Sequence, residues 1–154
     1  MTAHPSSLSD SRFPVVISVP VRFREVDAMG HVNNVAYLAY FEDARVAYHQ
    51  ALAGEATMGV TGFEFILAEI NCKYRSPAYF GETLLVGIRV ARLGRKSFDF
   101  EYEIRDHVSD RLIAEGQSVQ VMFDYDIRRS KLLSAAFAEK VEALEGRSLS
   151  GEGS

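Results

Sequence analysis

Val21-Arg22-Phe23-Arg24-Glu25-Val26-Asp27-Ala28-Met29-Gly30-His31-Val32-Asn33-Asn34-Val35-Ala36-Tyr37 carries the pattern on which the fold turns. It reads as the end of a strand, a short polar crossing that carries one carboxylate, and the first turn of a helix. Val19, Val21 and Phe23 alternate with Pro20, Arg22 and Arg24, the period of a half-buried strand. Met29-Gly30 breaks that period, and Asn33 or Asn34 is suited to cap a helix starting there. Downstream, Tyr37, Leu38, Phe41, Ala44, Tyr48, Ala51 and Leu52 recur at helical spacing until Gly54 stops the run. Asp27 therefore stands a few residues before the open amides of a helix N-terminus, where the dipole favours developing negative charge. A carboxylate beside such a polarising end suits acyl transfer.

On the N-terminal side, residues 1–13 are rich in Ser, Pro and Asp without periodicity and read as a mobile tail. A first strand from about Val15 to Val26 precedes the crossing, and the long helix runs from about Asn34 to Leu52. The segment from Ala53 to Gly62, with Gly54, Gly59 and Gly62, reads as a flexible flap. Four strand-like segments come next. Ile66, Ala68, Ile70, Cys72 and Tyr74 alternate with Leu67, Glu69, Asn71, Lys73 and Arg75, and Leu84, Val86, Ile88 and Val90 then share one face. After a tight turn at Gly94-Arg95, Phe98, Phe100, Tyr102 and Ile104 alternate with Asp99, Glu101, Glu103 and Arg105. A turn at His107–Asp110 leads into the last strand, Leu112 to about Tyr125. Its alternation changes phase from Leu112 and Ala114 to Val119, Val121 and Phe123, so a bulge is expected near Gly116.

Short loops between the last strands imply antiparallel hairpins. From Ser130 to about Leu144, Leu133, Phe137, Val141 and Leu144 mark a short amphipathic helix, and residues 146–154 form a second polar tail. The order β-α-β-β-β-β-α gives an α+β fold: an antiparallel five-stranded sheet around one long helix, plus a short C-terminal helix. One domain is expected over residues 14–145, in keeping with 154 residues in all.

Hydrophobic residues make up 47% of the chain and charged residues 25%, the composition of an ordinary globular protein. The formal net charge of -4 offers no global attraction for nucleic acid or a membrane surface. Cys72, the one cysteine, excludes an internal disulfide and a cysteine metal cluster, and no metal site is expected. No leader pattern or membrane-length apolar run is visible, so a cytoplasmic location is expected. The edges of so small a sheet, with one helix to cover the apolar content, predict self-association.

Asp27-x-x-Gly30-His31-Val32-Asn33-Asn34-x-x-Tyr37, between an Arg-containing strand and an amphipathic helix, resembles the hotdog-fold acyl-CoA thioesterases. The 4-hydroxybenzoyl-CoA thioesterase-like group is the nearest match. Tyr74-Arg75-Ser76-Pro77-Ala78-x-x-Gly81-Glu82 resembles that family's strand-to-strand crossing, and Val15 to Tyr125 follows its element order. The resemblance implies a hotdog fold, hydrolysis of an acyl-CoA thioester without a separate cofactor, and a homodimer or homotetramer. Hotdog dimers extend the sheet across the subunits, with active sites at that interface. Carrier-protein thioesters or a non-catalytic acyl-CoA-binding role are the alternatives.

By the same resemblance, the Asp27 carboxylate attacks the thioester carbonyl or activates a water that does. Without the motif it would read as a turn aspartate. Asn34 matches the position whose backbone N–H polarises the carbonyl, a contribution of roughly 3 kcal/mol. His31 either positions substrate or Asp27 or is a hydrogen-bonded structural residue. Gly30 marks a turn that needs positive φ or a close backbone approach. Asn33 reads as a cap beside the substrate, and Tyr37 as helix core whose hydroxyl reaches towards the site. Glu42, beside the helix stripe, is the competitor to Asp27, because other hotdog subfamilies use a helix acid. Tyr40, Tyr48 and the glycine-rich connection are further pocket candidates. Coenzyme A phosphates need cations and amide donors. Arg75, Arg95, Lys96 and Ser97 are candidates, with Arg92, Arg128, Arg129 and Lys131 beside them; each cluster also reads as a solvated sheet edge.

Overall fold

The computed structural model describes Leu8, residues 13–53 and residues 64–149. The glycine-rich connection and most of both tails lie outside the described residues. Strand β1 spans Val15–Pro20 and helix α1 Asn34–Ala53; β2 (Phe65–Tyr74), β3 (Thr83–Leu93), β4 (Ser97–Asp106) and β5 (Leu112–Asp124) come after it. A two-residue β6 (Arg129–Ser130) and helix α2 (Ala135–Glu145) complete the order. The strands pair antiparallel in the order β1-β3-β4-β5-β2, with β6 on β5. This is the α+β architecture expected: one antiparallel sheet with the long helix on one face.

Strand period dictates the core. Leu84, Val86, Ile88 and Val90 of β3 and Phe98, Phe100 and Ile104 of β4 point to the helix side and are fully buried. They meet Tyr37, Tyr40, Phe41, Ala44 and Tyr48, the inward stripe of α1. Phe41 stacks on Tyr102 at 4.2 Å and Tyr48 meets Phe100 edge-on at 5.0 Å.

The first strand is shorter than its sequence suggests. Pairing with β3 ends at Pro20, and the chain turns into a 3-10 helix at Phe23–Glu25. Glu25 drives that turn: its Oε1 accepts the Arg22 N–H at 2.9 Å, and its own N–H donates to the Arg22 carbonyl at 2.9 Å. The bulge expected near Gly116 does not fall at that residue; the extra residue of β5 is Ile113, three positions earlier. Tyr102 pairs with Gly116 and Phe100 with Ser118 without interruption, and the register shifts instead near Leu67, Val90 and Ile104. Gly116, Ser118 and Gln120 point inward, although Val119, Val121 and Phe123 are the apolar residues. Polar side chains are tolerated there because they satisfy one another. The Tyr102 and Ser118 hydroxyls bond at 2.5 Å, Ser118 Oγ reaches Gln120 Oε1, and Gln120 Nε2 donates to the Phe98 carbonyl at 3.0 Å. A side chain at Gly116 would collide with the Asn71 carbonyl, 2.3 Å from the Cβ position.

The expected C-terminal helix from Ser130 begins later. Ser130 belongs to β6, and Ser134 caps α2 by accepting the Phe137 N–H at 3.1 Å. Gly146, at φ +73°, closes it. In the stretch read as a tail, Leu8 and Phe13 are buried, both against the outer face at Gly87. No described helix is long and apolar enough to cross a membrane.

Candidate active site

The Asp27 loop is a miniature hairpin. Val26 bridges Val32, the Asp27 N–H donates to the His31 carbonyl at 2.8 Å, and the Gly30 N–H donates to the Asp27 carbonyl at 3.0 Å. Gly30 has φ +84° with nothing near its Cβ position, so backbone conformation alone requires glycine. The Asp27 side chain is exposed, and its Oδ1 accepts the N–H groups of Met29 at 2.9 Å and His31 at 3.2 Å. Oδ2 has no protein partner among the described residues. One carboxylate oxygen is thus pinned and the other is open.

Asn33 caps α1: its Oδ1 accepts the Ala36 N–H at 3.0 Å, and its Nδ2 and backbone N–H donate to the Glu25 carbonyl at 3.1 and 2.8 Å. Asn34 is the first helical residue, and its N–H has no acceptor among the described residues. Its carbonyl takes the Tyr74 hydroxyl at 3.0 Å. The Tyr74–Glu82 crossing closes over the same place. The Ala78 carbonyl accepts the Val32 N–H at 2.8 Å, the Ala78 N–H donates to the Tyr37 hydroxyl at 3.3 Å, and His31 bridges Tyr79. Gly81, at φ +95°, returns the chain to β3. The two stretches that carry the sequence resemblance therefore form one unit.

Half-buried His31 sets its ring edge-on to Tyr79 at 5.3 Å. Tyr37 is buried, and burial pushes its phenol up, partly offset by the Ala78 N–H. Tyr40 and Tyr48, read above as pocket candidates, pack in the core. Each is buried, and their hydroxyls donate to Glu25 and Glu145. Glu42 is exposed on α1. Burial raises the half-buried Cys72 thiol, which disfavours its thiolate. Around the loop, Phe23 and Met29 (each 77% exposed), Val35 and Phe80 form an apolar rim, with Phe23 and Phe80 in edge contact at 5.7 Å.

The cationic candidates divide. Arg75 lies at the crossing, its Nε on Glu115 at 2.8 Å. Arg95, Lys96 and Ser97 form the β3–β4 turn, where Ser97 Oγ accepts from Arg92 Nη2 at 3.2 Å. That turn is at the opposite end of the sheet from Asp27. The 11 residues of β3 separate the two ends, roughly 30–35 Å at strand rise. One chain does not bring them together.

Sequence reasoning missed Glu25, which joins this loop to α1. An acid two residues before Asp27 and three after Arg22 was the available signal, since that spacing lets it accept the Arg22 N–H.

The sequence profile of the Thioesterase-like superfamily matches residues 21–141, which spans the hairpin, the crossing and the sheet. The chain belongs to the thioesterase-like superfamily. Among similar solved structures is a thioesterase from Thermus thermophilus complexed with coenzyme A and zinc. It is 35% identical, with a TM-score of 0.79, over 89% of this chain and 98% of that one. A thioesterase superfamily structure from Jannaschia sp. CCS1 is 27% identical with a TM-score of 0.74, over 86% of this chain and 83% of that one. The long-chain acyl-CoA thioesterase FadM of Escherichia coli K12 is 25% identical over 126 residues, 82% of this chain and 96% of FadM. The thioesterase-like chain described here has the hotdog architecture and is a thioester hydrolase. Among its described residues, no group of three or more His, Cys, Asp or Glu could hold a metal ion.

Proposed function

We propose that the enzyme hydrolyses an acyl-CoA thioester, with Asp27 as the attacking or base group and the Asn34 N–H as the oxyanion donor. The observation that carries this reading is the Asp27 carboxylate, pinned through Oδ1 and open at Oδ2, on the hairpin that leads into α1, whose Asn34 N–H has no acceptor among the described residues. The thioester carbonyl would meet the Asn34 N–H, where the helix dipole adds to the donor's stabilisation of the developing oxyanion. On the nucleophilic route, Oδ2 adds to the carbonyl carbon and expels the thiolate, and water then cleaves the resulting anhydride. On the general-base route, Oδ2 takes a proton from a water that attacks directly. The apolar rim of Phe23, Met29, Val35 and Phe80 suits the uncharged part of such a substrate. Coenzyme A in the Thermus structure and the acyl-CoA substrate named for FadM support the choice of thiol.

Among the described residues, strand β2 has β5 as its one partner strand and leaves a ten-residue edge with Ile66 and Leu67 exposed. We propose that two copies pair there in antiparallel fashion. That operation would carry the β3–β4 turn of the second copy to the Asp27 end of the first. The turn would then lie about three strand spacings, roughly 14 Å, from β2 of the first copy. Arg95, Lys96 and Ser97 could then meet the coenzyme A phosphates across the pair.

The test is thiol release from a panel of acyl-CoAs and the matching carrier-protein thioesters, by wild type and Asp27→Asn. Turnover of acyl-CoA that falls at least about a hundredfold in kcat in the variant is the expected result. Unchanged kcat would remove Asp27 from the mechanism, and turnover confined to carrier-protein thioesters would replace the substrate class.

A further inference from the structure

We infer that Glu25 and Tyr40 form a positioning pair that sets the Asp27 loop against the N-terminus of α1; this rests on the reaction assigned above. Glu25 joins three elements at this end. Its Oε1 accepts the Arg22 N–H at 2.9 Å, which ends β1's extended run, and the Tyr40 hydroxyl at 2.8 Å, which belongs to the second turn of α1. Its carbonyl accepts both donors of Asn33, the cap of α1, at 2.8 and 3.1 Å. Asp27 is two residues further along, and Asn34 is next to Asn33. The open carboxylate oxygen and the open amide are therefore spaced by a frame whose central node is Glu25.

The node is protected. The Glu25 side chain is 15% exposed and Tyr40 1% exposed, so water does not compete freely for the bond between them. Burial raises the Tyr40 phenol, and the hydrogen bond it donates to Glu25 raises it further, so the hydroxyl stays protonated and a donor. Neither side chain reaches the reacting atoms. Both act through the loop and the cap, so their loss would misplace two groups that must meet one carbonyl. Misplacement by about 1 Å can lower a rate by as much as about a hundredfold.

The same helix supplies an internal control. Tyr48 donates to Glu145 at 2.6 Å at the other end of α1, so Tyr48→Phe deletes the same chemical bond away from the loop. The experiment measures kcat, KM and thermal midpoint for wild type, Tyr40→Phe, Glu25→Ala, Glu25→Gln, Tyr48→Phe and Asp27→Asn on the best acyl-thioester of the panel. In Tyr40→Phe and Glu25→Ala, kcat is expected to fall about tenfold with KM within about twofold. Glu25→Gln, which keeps an acceptor for Tyr40 and Arg22, should recover to within about threefold of wild type. Tyr48→Phe should keep kcat whatever its midpoint does. The inference is overturned if kcat survives Tyr40→Phe and Glu25→Ala, or if Tyr48→Phe lowers it equally. Unchanged kcat in Asp27→Asn overturns the site assignment and this pair together, whereas loss in Asp27→Asn alone overturns only the pair.

Discussion

Helix α1 holds two buried tyrosine–glutamate bonds two turns apart, Tyr40 to Glu25 at 2.8 Å and Tyr48 to Glu145 at 2.6 Å. The tyrosines are equally inaccessible, at 1% and 0% exposure, and burial raises both phenols. The difference lies in what each carboxylate holds besides the tyrosine. Glu25 takes the Arg22 N–H and, through its carbonyl, the cap residue Asn33, so it belongs to the loop that carries Asp27. Glu145 comes from the last turn of α2 and takes the Val90 N–H at 2.8 Å, next to the register shift in β3. Its other oxygen is buried without a partner among the described residues. One bond aligns a site; the other fastens a terminal helix over the sheet. Identical chemistry at the two ends of one helix therefore predicts separate phenotypes, in rate at the N-terminal end and in stability at the C-terminal end.

The greatest loss belongs to the N-terminal end. Asp27→Asn should cost at least about a hundredfold in kcat, near ~3 kcal/mol of barrier. The midpoint should hold, because an amide oxygen at Oδ1 still accepts the Met29 and His31 N–H groups. A parallel loss of rate and midpoint would erase the contrast between the two ends at its strongest point.

Towards the C-terminal end the next effect is on stability. His49 stacks on Phe65 at 4.8 Å, and burial, with Arg45 nearby, lowers its pKa from 6.5 to about 4. The unfolded chain then binds a proton between those values that the fold refuses. Stability is therefore present above pH 6.5 and is lost as pH falls towards 4, by at most about 3 kcal/mol. Denaturant titrations at several pH values should show that acid loss in wild type and a flatter profile in His49→Phe. Tyr48→Phe comes next in size. It should destabilise by about 2 kcal/mol, the scale of a hydrogen bond to a charged group, with kcat intact.

The same division explains what the sequence made legible. Strand and helix periods located every long element, because buried faces of β3, β4 and α1 are uniformly apolar. The motif located the loop, because Asp27, Gly30 and Asn33 each have local backbone roles that residue type reveals. The inward face of β5 was misread because Ser118 and Gln120 look like outward residues; only the facing Tyr102 and the Phe98 carbonyl make them suitable for a core. Glu25 was missed for a related reason. An acid in a strand-like run looks solvated until a tyrosine 15 residues later is known to reach it. The distance between Asp27 and the Arg95–Ser97 turn was likewise invisible, since it depends on strand direction across the whole sheet.

The slightest change tests Glu145 itself. Burial raises its carboxyl above the usual 4.5, and the Tyr48 hydroxyl, the Val90 N–H, Arg147 and Arg89 offset that only in part. An acid raised in the fold holds its proton more tightly there than in the unfolded chain. Its contribution is thus complete below about pH 4.5 and declines as pH rises through the folded value, the opposite slope to His49. Glu145→Gln keeps an acceptor for Tyr48 and Val90 without the charge. The variant's midpoint should therefore gain on wild type as pH climbs from the carboxylate range towards neutrality, with kcat unchanged throughout. A constant offset would mean that the Glu145 carboxylate is as well solvated folded as unfolded, and the contrast with Glu25 would then rest on position alone.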